Sequence, residues 1–280
     1  MQRVFSMFSK APGASFQVLS DLHLEVDQEY ASFDIPVSAS HLILAGDIGC
    51  LIDYDAYLGF LVRRTRLFER VFLVLGNHEF YGMSIAAGLE QAWRLEREPR
   101  LKGKLVVLHQ RQYDIPNSTI TILGCTLWSK IPDSAKDAVL RKVQDFKQIH
   151  GWTIEDHNAA HQSDHMWLKS QVAALREAHQ RAPRANPERT VVVITHYAPS
   201  TREALSPWQF GSPWSSAFAT ELLSGWDWTG VQLWVFGHTH FTTEFKKYGV
   251  KAVSNQRASE QESYGKDKKT VYDVGKAVRI

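Results

Sequence analysis

The sequence predicts an α/β fold in which strands alternate with helices through crossover connections. Two observations carry that expectation: short, uninterrupted apolar runs recur along the chain, and stretches with helical spacing separate them. Strands buried on both faces read as such runs, and their alternation with helices builds parallel sheets. A third observation is that five of these runs end in side chains able to bind a cation.

In chain order, Val18-Leu19-Ser20 leads into Asp21-Leu22-His23, and Leu42-Ile43-Leu44-Ala45 into Gly46-Asp47. Residues 53–68 place Tyr57, Leu58, Leu61, Val62 and Leu67 at helical spacing before the run 71–75, which ends in Gly76-Asn77-His78-Glu79. Ser84 is placed to cap a helix that passes Trp93 and Leu95 and stops before Pro99. Residues 105–108 and 119–123 read as two further strands, a hairpin or adjacent, separated by the turn-forming Asp114, Pro116, Asn117 and Ser118. From 133 to 180 the pattern is mostly helical. Its last helix covers about 154–181, with Pro183 and Pro187 behind it. Val191-Val192-Val193-Ile194 then leads into Thr195-His196, and the run 231–236 into Gly237-His238-Thr239-His240. Residues 242–245 and 250–253 flank Tyr248-Gly249 as a hairpin, and the polar segment 258–269 is expected to be a mobile loop.

A chain of 280 residues fits one domain or two. Because the five segments must meet in space, the expectation is a single domain over 1–280. The 44% hydrophobic content and nine Trp supply a sizeable core. A net charge of +2 lacks the basic excess of a protein that grips many nucleic-acid phosphates, which leaves only a local patch for that purpose. Cys50 and Cys125 are too few for a disulfide framework and fit a reducing compartment. The first fifteen residues lack the apolar core of a signal peptide, and no run is long enough to span a bilayer, so a soluble cytoplasmic protein without membrane partners is expected.

Asp and His gathered at the ends of parallel strands describe a two-metal hydrolytic site. Two cations about 3.5–4 Å apart polarise a phosphoryl oxygen and acidify a bridging water. Such a pair needs a shared ligand, and the two oxygens of Asp47, on the turn after the second run, suit that place. Imidazoles suit Mn, Fe or Zn, and carboxylates with the Asn77 amide oxygen suit the harder ions of that series.

Asp-x-His, Gly-Asp, Gly-Asn-His-Glu, a lone His after a strand and Gly-His-x-His, in this order over positions 21 to 240, resemble the calcineurin-like metallophosphoesterases. The resemblance implies a four-layer αββα sandwich with its site at the C-terminal ends of the strands. It further implies that Asp21, His23, Asp47 and His240 hold one metal, and that Asp47, Asn77, His196 and His238 hold the other. His78 corresponds to the residue that contacts the phosphate and either protonates the leaving group or stabilises the transition state. A metal-bridging hydroxide is the implied nucleophile. Only Asp21 and Asp47 are anionic among these ligands, so the loaded site stays positive and favours an anionic phosphoester.

Protein Ser/Thr phosphatases of that superfamily carry Gly-Asp-x-x-Asp-Arg-Gly at the second motif, whereas this chain reads Gly46-Asp47-Ile48-Gly49-Cys50-Leu51. The missing arginine turns the expectation toward a small-molecule phosphodiester or phosphomonoester. Protein phosphatase, nuclease, catalytically silent scaffold and di-metal chemistry on a non-phosphate substrate stand as alternatives.

Glu79 and Glu25 each have two readings, as acceptors that orient a ligand histidine or as acidic residues at a helix N-terminus, where the helix dipole favours them. His157, His161 and His165 line one helical stripe, expected to be a polar helix face rather than a second metal site. His41, His109 and His150 are assigned structural roles, and Arg63-Arg64 and Lys246-Lys247 solvated ones. Trp128 lines either pocket or core. The segment 197–216, with Trp208, Phe210 and Trp214, is either a substrate-facing loop or one packed by its own aromatics.

Overall fold

A computed structural model describes residues 14–183, 185–257 and 271–280. The expected mobile segment 258–269 and most of the first fifteen residues lie outside the described residues. Strands β1 (Ser15–Leu19), β2 (His41–Ala45), β3 (Arg70–Val74) and β4 (Leu105–Leu108) run parallel to one another, and β11 (Ala277–Arg279) closes the near edge antiparallel to β1. A second sheet has the order β5 (Arg111–Asp114), β6 (Ile120–Cys125), β7 (Thr190–Thr195), β8 (Val231–Phe236), β10 (Val250–Ser254), β9 (Glu244–Lys247). Its four central strands are parallel, while β5 and β9 are antiparallel edges.

Alternate residues of both sheets interleave in one buried layer. Phe16, Val18, Ile43, Phe72 and Val74 from the first sheet meet Ile122, Val192, Ile194, Val235 and Val253 from the second. The intervening residues, such as Leu44, Leu73, Val193 and Trp234, form the opposite faces. Helices α1 (Tyr54–Leu67) and α2 (Ile85–Arg97) pack on the first sheet, and α5 (Ile154–Arg181) packs on the second. The result is the four-layer αββα arrangement, and the double burial explains why the strands read as continuous apolar runs. Ser84 caps α2 through its bond from Ala87 N–H, as expected. Thr153 and Asp156 cap α5 reciprocally.

The hairpin lies elsewhere than the sequence suggested. Residues 105–108 pair with β3 in the first sheet, and it is β5, Arg-Gln-Tyr-Asp, that pairs with β6. An edge strand with alternating half-buried and exposed residues carries no apolar run to betray it. Between β6 and α5 lie the short helices α3 (Lys136–Lys142) and α4 (Asp145–Gln148). Backbone bonds from Gly82 N to Gln148 O (2.9 Å) and from His150 N to Met83 O (2.9 Å) dock this segment against the loop after β3.

Candidate metal centre

All seven residues expected from the sequence to bind metal converge on one end of the two sheets. Asp21 and His23 follow β1, Asp47 follows β2 and Asn77 follows β3, while His196 follows β7 and His238 and His240 follow β8. The two sheets are stitched together at this point. His196 Nδ1 donates to Ala45 O at 2.9 Å, and Thr126 Oγ1 donates to Leu75 O at 2.8 Å.

Five of these residues, Asp21, His23, Asp47, His238 and His240, have φ between 48° and 68°. Left-handed backbone costs a residue with a side chain on the order of 1–3 kcal/mol and persists only where its surroundings over-determine it. Here they do: Asp21, His23 and Leu24 donate their N–H groups to the carbonyls of Gly46, Asp47 and Ile48, each at 3.0 Å, and His238 N–H donates to Asp21 Oδ1, also at 3.0 Å. Gly46, at φ 87°, turns the chain where a Cβ would lie 2.4 Å from His196 Nδ1.

Among the described residues three groups of candidate ligand atoms result, one joining Glu25 to His23 and His78 and two lying wholly within the seven. Asp21, His23 and His240 form one, with His23 Nε2 3.1 Å from His240 Nε2 and Asp21 Oδ1 3.6 Å from the same atom. Asp47, His196 and His238 form the other: His196 Nε2 lies 3.3 Å from Asp47 Oδ2, 3.2 Å from His238 Nδ1 and 3.0 Å from Asn77 Oδ1. The second group is fully buried, whereas the imidazoles of His23 and His240 reach the surface.

The ring tautomers favour a cation. His196 gives its Nδ1 hydrogen to the Ala45 carbonyl, which leaves the Nε2 lone pair facing the group, and His238 gives its Nε2 hydrogen to Ala217 O (3.2 Å), which leaves Nδ1. Asn77 offers its oxygen because its Nδ2 donates to Asp145 Oδ1 at 2.8 Å. Burial opposes charge on Asp47, yet His196 and His78 hold its carboxyl well below the usual range. Burial likewise opposes charge on His196 and His78, but Asp47, joined by Asp21 at His196 and by Glu25 at His78, holds both imidazoles up at about 9. His238, buried beside His196, is pushed well down. A cluster that draws protons onto buried imidazoles is one that a divalent cation would neutralise with release of those protons.

Glu79 lies in the first turn of a short 3-10 helix, His78–Phe80, as one of its two readings had it, but among the described contacts its carboxylate bonds to no histidine. Fully buried, it accepts from the backbone N–H of Gly76 (2.6 Å), Asp47 (2.9 Å) and Ile48 (2.8 Å) and from Tyr57 OH (3.0 Å), so it pins the Gly-Asp turn to the Gly-Asn-His turn. Burial and the nearby Asp47 raise its pKa to about 7. Glu25 does touch histidine: its Oε1 lies 3.3 Å from His23 Nδ1 and 2.8 Å from His78 Nδ1. His78 lies at the rim with Nε2 4.0 Å from Asp47 Oδ2, and its ring stacks on Tyr81.

Asp145 gave no sequence signal. It opens α4, and its buried carboxylate accepts from Asn77 Nδ2, from Tyr81 OH (2.7 Å) and from Tyr197 OH (3.0 Å). Tyr197 in turn packs its ring 3.9 Å from that of His238. The contact from Asp145 to Asn77 spans 68 positions of chain, beyond the reach of any local pattern.

The histidine stripe is not a solvated face. His157 and His161 are buried against the left-handed turn at Leu127-Trp128. Ser129 N–H donates to His157 Nε2 (3.2 Å), and His161 Nδ1 donates to Leu127 O (2.9 Å). These bonds hold the turn in which Thr126 O receives the N–H groups of His196 (3.2 Å) and Tyr197 (3.1 Å), so the stripe supports the centre without entering it. Trp128 belongs to the core beside it. Arg64 is buried and paired with Asp34, and Lys247 lies between Glu203 and Glu221, so neither is a solvated charge. In the segment 197–216, Trp208 and Phe210 are exposed, whereas Trp214 packs with Phe146 and Phe218 near α3.

A family model described as calcineurin-like phosphoesterase matches residues 15–241. Protein L509 of Acanthamoeba polyphaga mimivirus is 22% identical over 264 residues, covering 85% of this chain and 89% of its own. Among solved structures, phosphopantetheinyl hydrolase from Mycobacterium tuberculosis superposes with a TM-score of 0.59 at 18% identity, covering 93% of this chain and 95% of that one. TT1561 of Thermus thermophilus gives a TM-score of 0.50 at 13% identity, covering 87% and 89%. No helix among the described residues is long and apolar enough to cross a membrane. With its motifs assembled at the strand ends and matched over most of its length, the chain belongs to the calcineurin-like phosphoesterase family, and is a metal-dependent hydrolase of phosphoesters.

Proposed function

We propose that this protein cleaves a small phosphodiester or phosphomonoester, with Asp21, His23, Asp47 and His240 holding one divalent metal, Asp47, Asn77, His196 and His238 the other, and His78 acting on the ester. The observation that carries this reading is the gathering of two groups of three candidate ligands at the strand ends, with His78 Nε2 4.0 Å from Asp47 Oδ2 of the second. Bound cations of the Mn, Fe or Zn kind would supply Lewis acidity and an acidified water. The chain's own residues do the rest. Asp47 places one oxygen toward His196 and uses the other to hold the His78 backbone N–H at 2.9 Å. Asn77 directs its amide oxygen inward because Asp145 holds its nitrogen. His78, held by Glu25 with its Nε2 at the rim, is placed to pass a proton where a phosphoryl oxygen or leaving group would arrive.

The small-substrate reading is supported at the second motif. The position where protein phosphatases of this superfamily have arginine is Leu51, which is wholly buried in the core. A silent scaffold would have lost ligands, and here none of the seven is replaced. Both sheets contribute ligands, which supports one domain acting as a unit.

The test is hydrolysis of bis-p-nitrophenyl phosphate and p-nitrophenyl phosphate by protein loaded with Mn and, separately, with Zn or Fe. Cleavage of neither ester would refute the reading. Phosphopantetheine esters, nucleotides, cyclic nucleotides and phospholipid headgroups form the panel that follows. His78→Ala should lower kcat by about 10²–10⁴-fold, the range of general acid–base catalysis, with metal content unchanged. Loss of metal in that variant would make His78 a ligand instead.

A further inference from the structure

The geometry points to Glu25 as the positioning residue of the reaction, one carboxylate oxygen that orients both the His78 ring at the ester and the His23 ring at the metal. The inference rests on the roles proposed for those two histidines. Glu25 Oε1 meets His78 Nδ1 at 2.8 Å and His23 Nδ1 at 3.3 Å, and the two rings stand edge to face with centroids 4.4 Å apart. A carboxylate is an acceptor only, so each Nδ1 facing it must carry its hydrogen. That keeps a hydrogen on Nδ1 of both rings and turns the other nitrogen inward: His23 presents Nε2 to His240, and His78 presents Nε2 to Asp47, as a donor when the ring is protonated and an acceptor when it is neutral.

Among the described residues, the other oxygen of Glu25, Oε2, is buried and has no hydrogen-bond partner, so the two imidazoles are what hold the carboxylate. His78 is restrained on three sides, by its backbone N–H on Asp47 Oδ1, by Tyr81 stacked 4.1 Å away and by Glu25. Among the described contacts, it is Glu25 that selects which ring nitrogen faces inward. The residue also lies two positions past His23, on the loop whose backbone is laddered to the Asp47 turn, so the same loop delivers a metal ligand and the carboxylate for His78.

Glu25→Gln, Glu25→Ala, His78→Ala and the Glu25→Ala/His78→Ala double variant decide the matter, assayed at saturating Mn on aryl phosphoesters with good (p-nitrophenyl) and poor (phenyl) leaving groups. Glu25→Ala should lower kcat about 10–100-fold, the usual effect of removing an outer carboxylate from a ligated histidine, with KM changed less than about threefold. The loss should be larger for the phenyl ester, which depends most on a proton at the leaving oxygen. Glu25→Gln, whose amide oxygen can still accept from Nδ1, should recover part of that loss. The double variant should be slower than His78→Ala by much less than the full Glu25→Ala factor, because only the contact with His23 is left to lose. Independently of activity, the ring nitrogen shifts of His78 in zinc-loaded, isotope-labelled protein, at a pH where the ring is neutral, should show hydrogen on Nδ1 in the parent and a mixture of tautomers in Glu25→Ala.

Equal losses on both leaving groups, additive losses in the double variant, or unchanged His78 ring shifts would each overturn the assignment. So would a third metal per chain that disappears with Glu25, since the three side chains would then be a cation site of their own. If His78→Ala is fully active, the role given to His78 fails first. If His78→Ala is crippled and Glu25→Ala is not, this inference alone fails. Should the parent cleave neither ester, the ring shifts still report on Glu25.

Discussion

Asp145→Ala tests whether a residue outside every motif holds the second ligand group together. The substitution removes the acceptor for three buried donors, Asn77 Nδ2, Tyr81 OH and Tyr197 OH, at 2.7–3.0 Å. A hydrogen bond to a charged group contributes about 1.5–3 kcal/mol. The three do not add fully, because burial pushes the Asp145 carboxyl above its ordinary pKa, a sign that keeping the charge there is itself costly. A net loss of about 3–5 kcal/mol follows, as for other buried polar partners removed singly. At roughly 2–4 °C per kcal/mol for a chain of this size, Tm of the metal-free protein should fall by about 10 °C. The second consequence is selective. Freed from Asp145, the Asn77 amide turns, and affinity for the metal shared with His196 and His238 should drop about 10–100-fold. Nothing links Asp145 directly to Asp21, His23 or His240 among the described contacts, so that metal should stay. Thermal unfolding after chelation, and metal content after dialysis against a graded chelator, measure the two effects. Asp145→Asn should recover most of both, since its oxygen can still accept from Asn77 and Tyr81 while its amide donates to Tyr197. The reasoning fails if Asp145→Ala keeps two tightly held metals and a Tm within about 2 °C of the parent, less than a single lost kcal/mol would produce.

Two other expectations follow from the same structure. Gly76→Ala places a Cβ 2.2 Å from Asp47 Oδ1 and 2.8 Å from His196 Cε1, so it should fold with a loss of about 1–3 kcal/mol and bind metal poorly at the Asp47 group; unchanged stoichiometry by elemental analysis would contradict this. Burial lowers the His157 pKa from 6.5 to about 3, so the unfolded chain takes up that proton first, and stability that is whole above pH 6.5 is lost on acidification toward pH 3 at about 1.4 kcal/mol per pH unit. His157→Gln, which keeps an acceptor for Ser129 N–H, should therefore lose about 2 kcal/mol less than the parent between pH 6.5 and 5, and parallel urea-derived stability profiles would refute it.

The strands that bear the ligands were legible because burial on both faces removes polar residues from them and leaves unbroken runs such as those ending at Ala45 and Ile194. Edge strands β5 and β11, with exposed alternate residues, had no such signal, and pairing across a sheet is not a local property, which is why residues 105–108 were joined to the wrong neighbour. Helical spacing placed His157, His161 and His165 on one face correctly. Whether that face met water or the second sheet depended on where α5 packs. Glu79 was visible beside His78, but its bonds run to the backbone of a turn more than thirty positions away.

The sequence by itself determined the fold class, because parallel strands demand particular runs, and its resemblance to the family supplied the seven candidate ligands and their order. Only the tertiary structure decided which atoms face the cations. Asp145 fixing the Asn77 amide, Ala45 O and Ala217 O fixing two imidazole tautomers, and Glu25 joining His23 to His78 are all contacts between separate elements. Hydrogen-bond direction is set by what stands opposite a group in space, and the chain brings those partners together only when both sheets are folded.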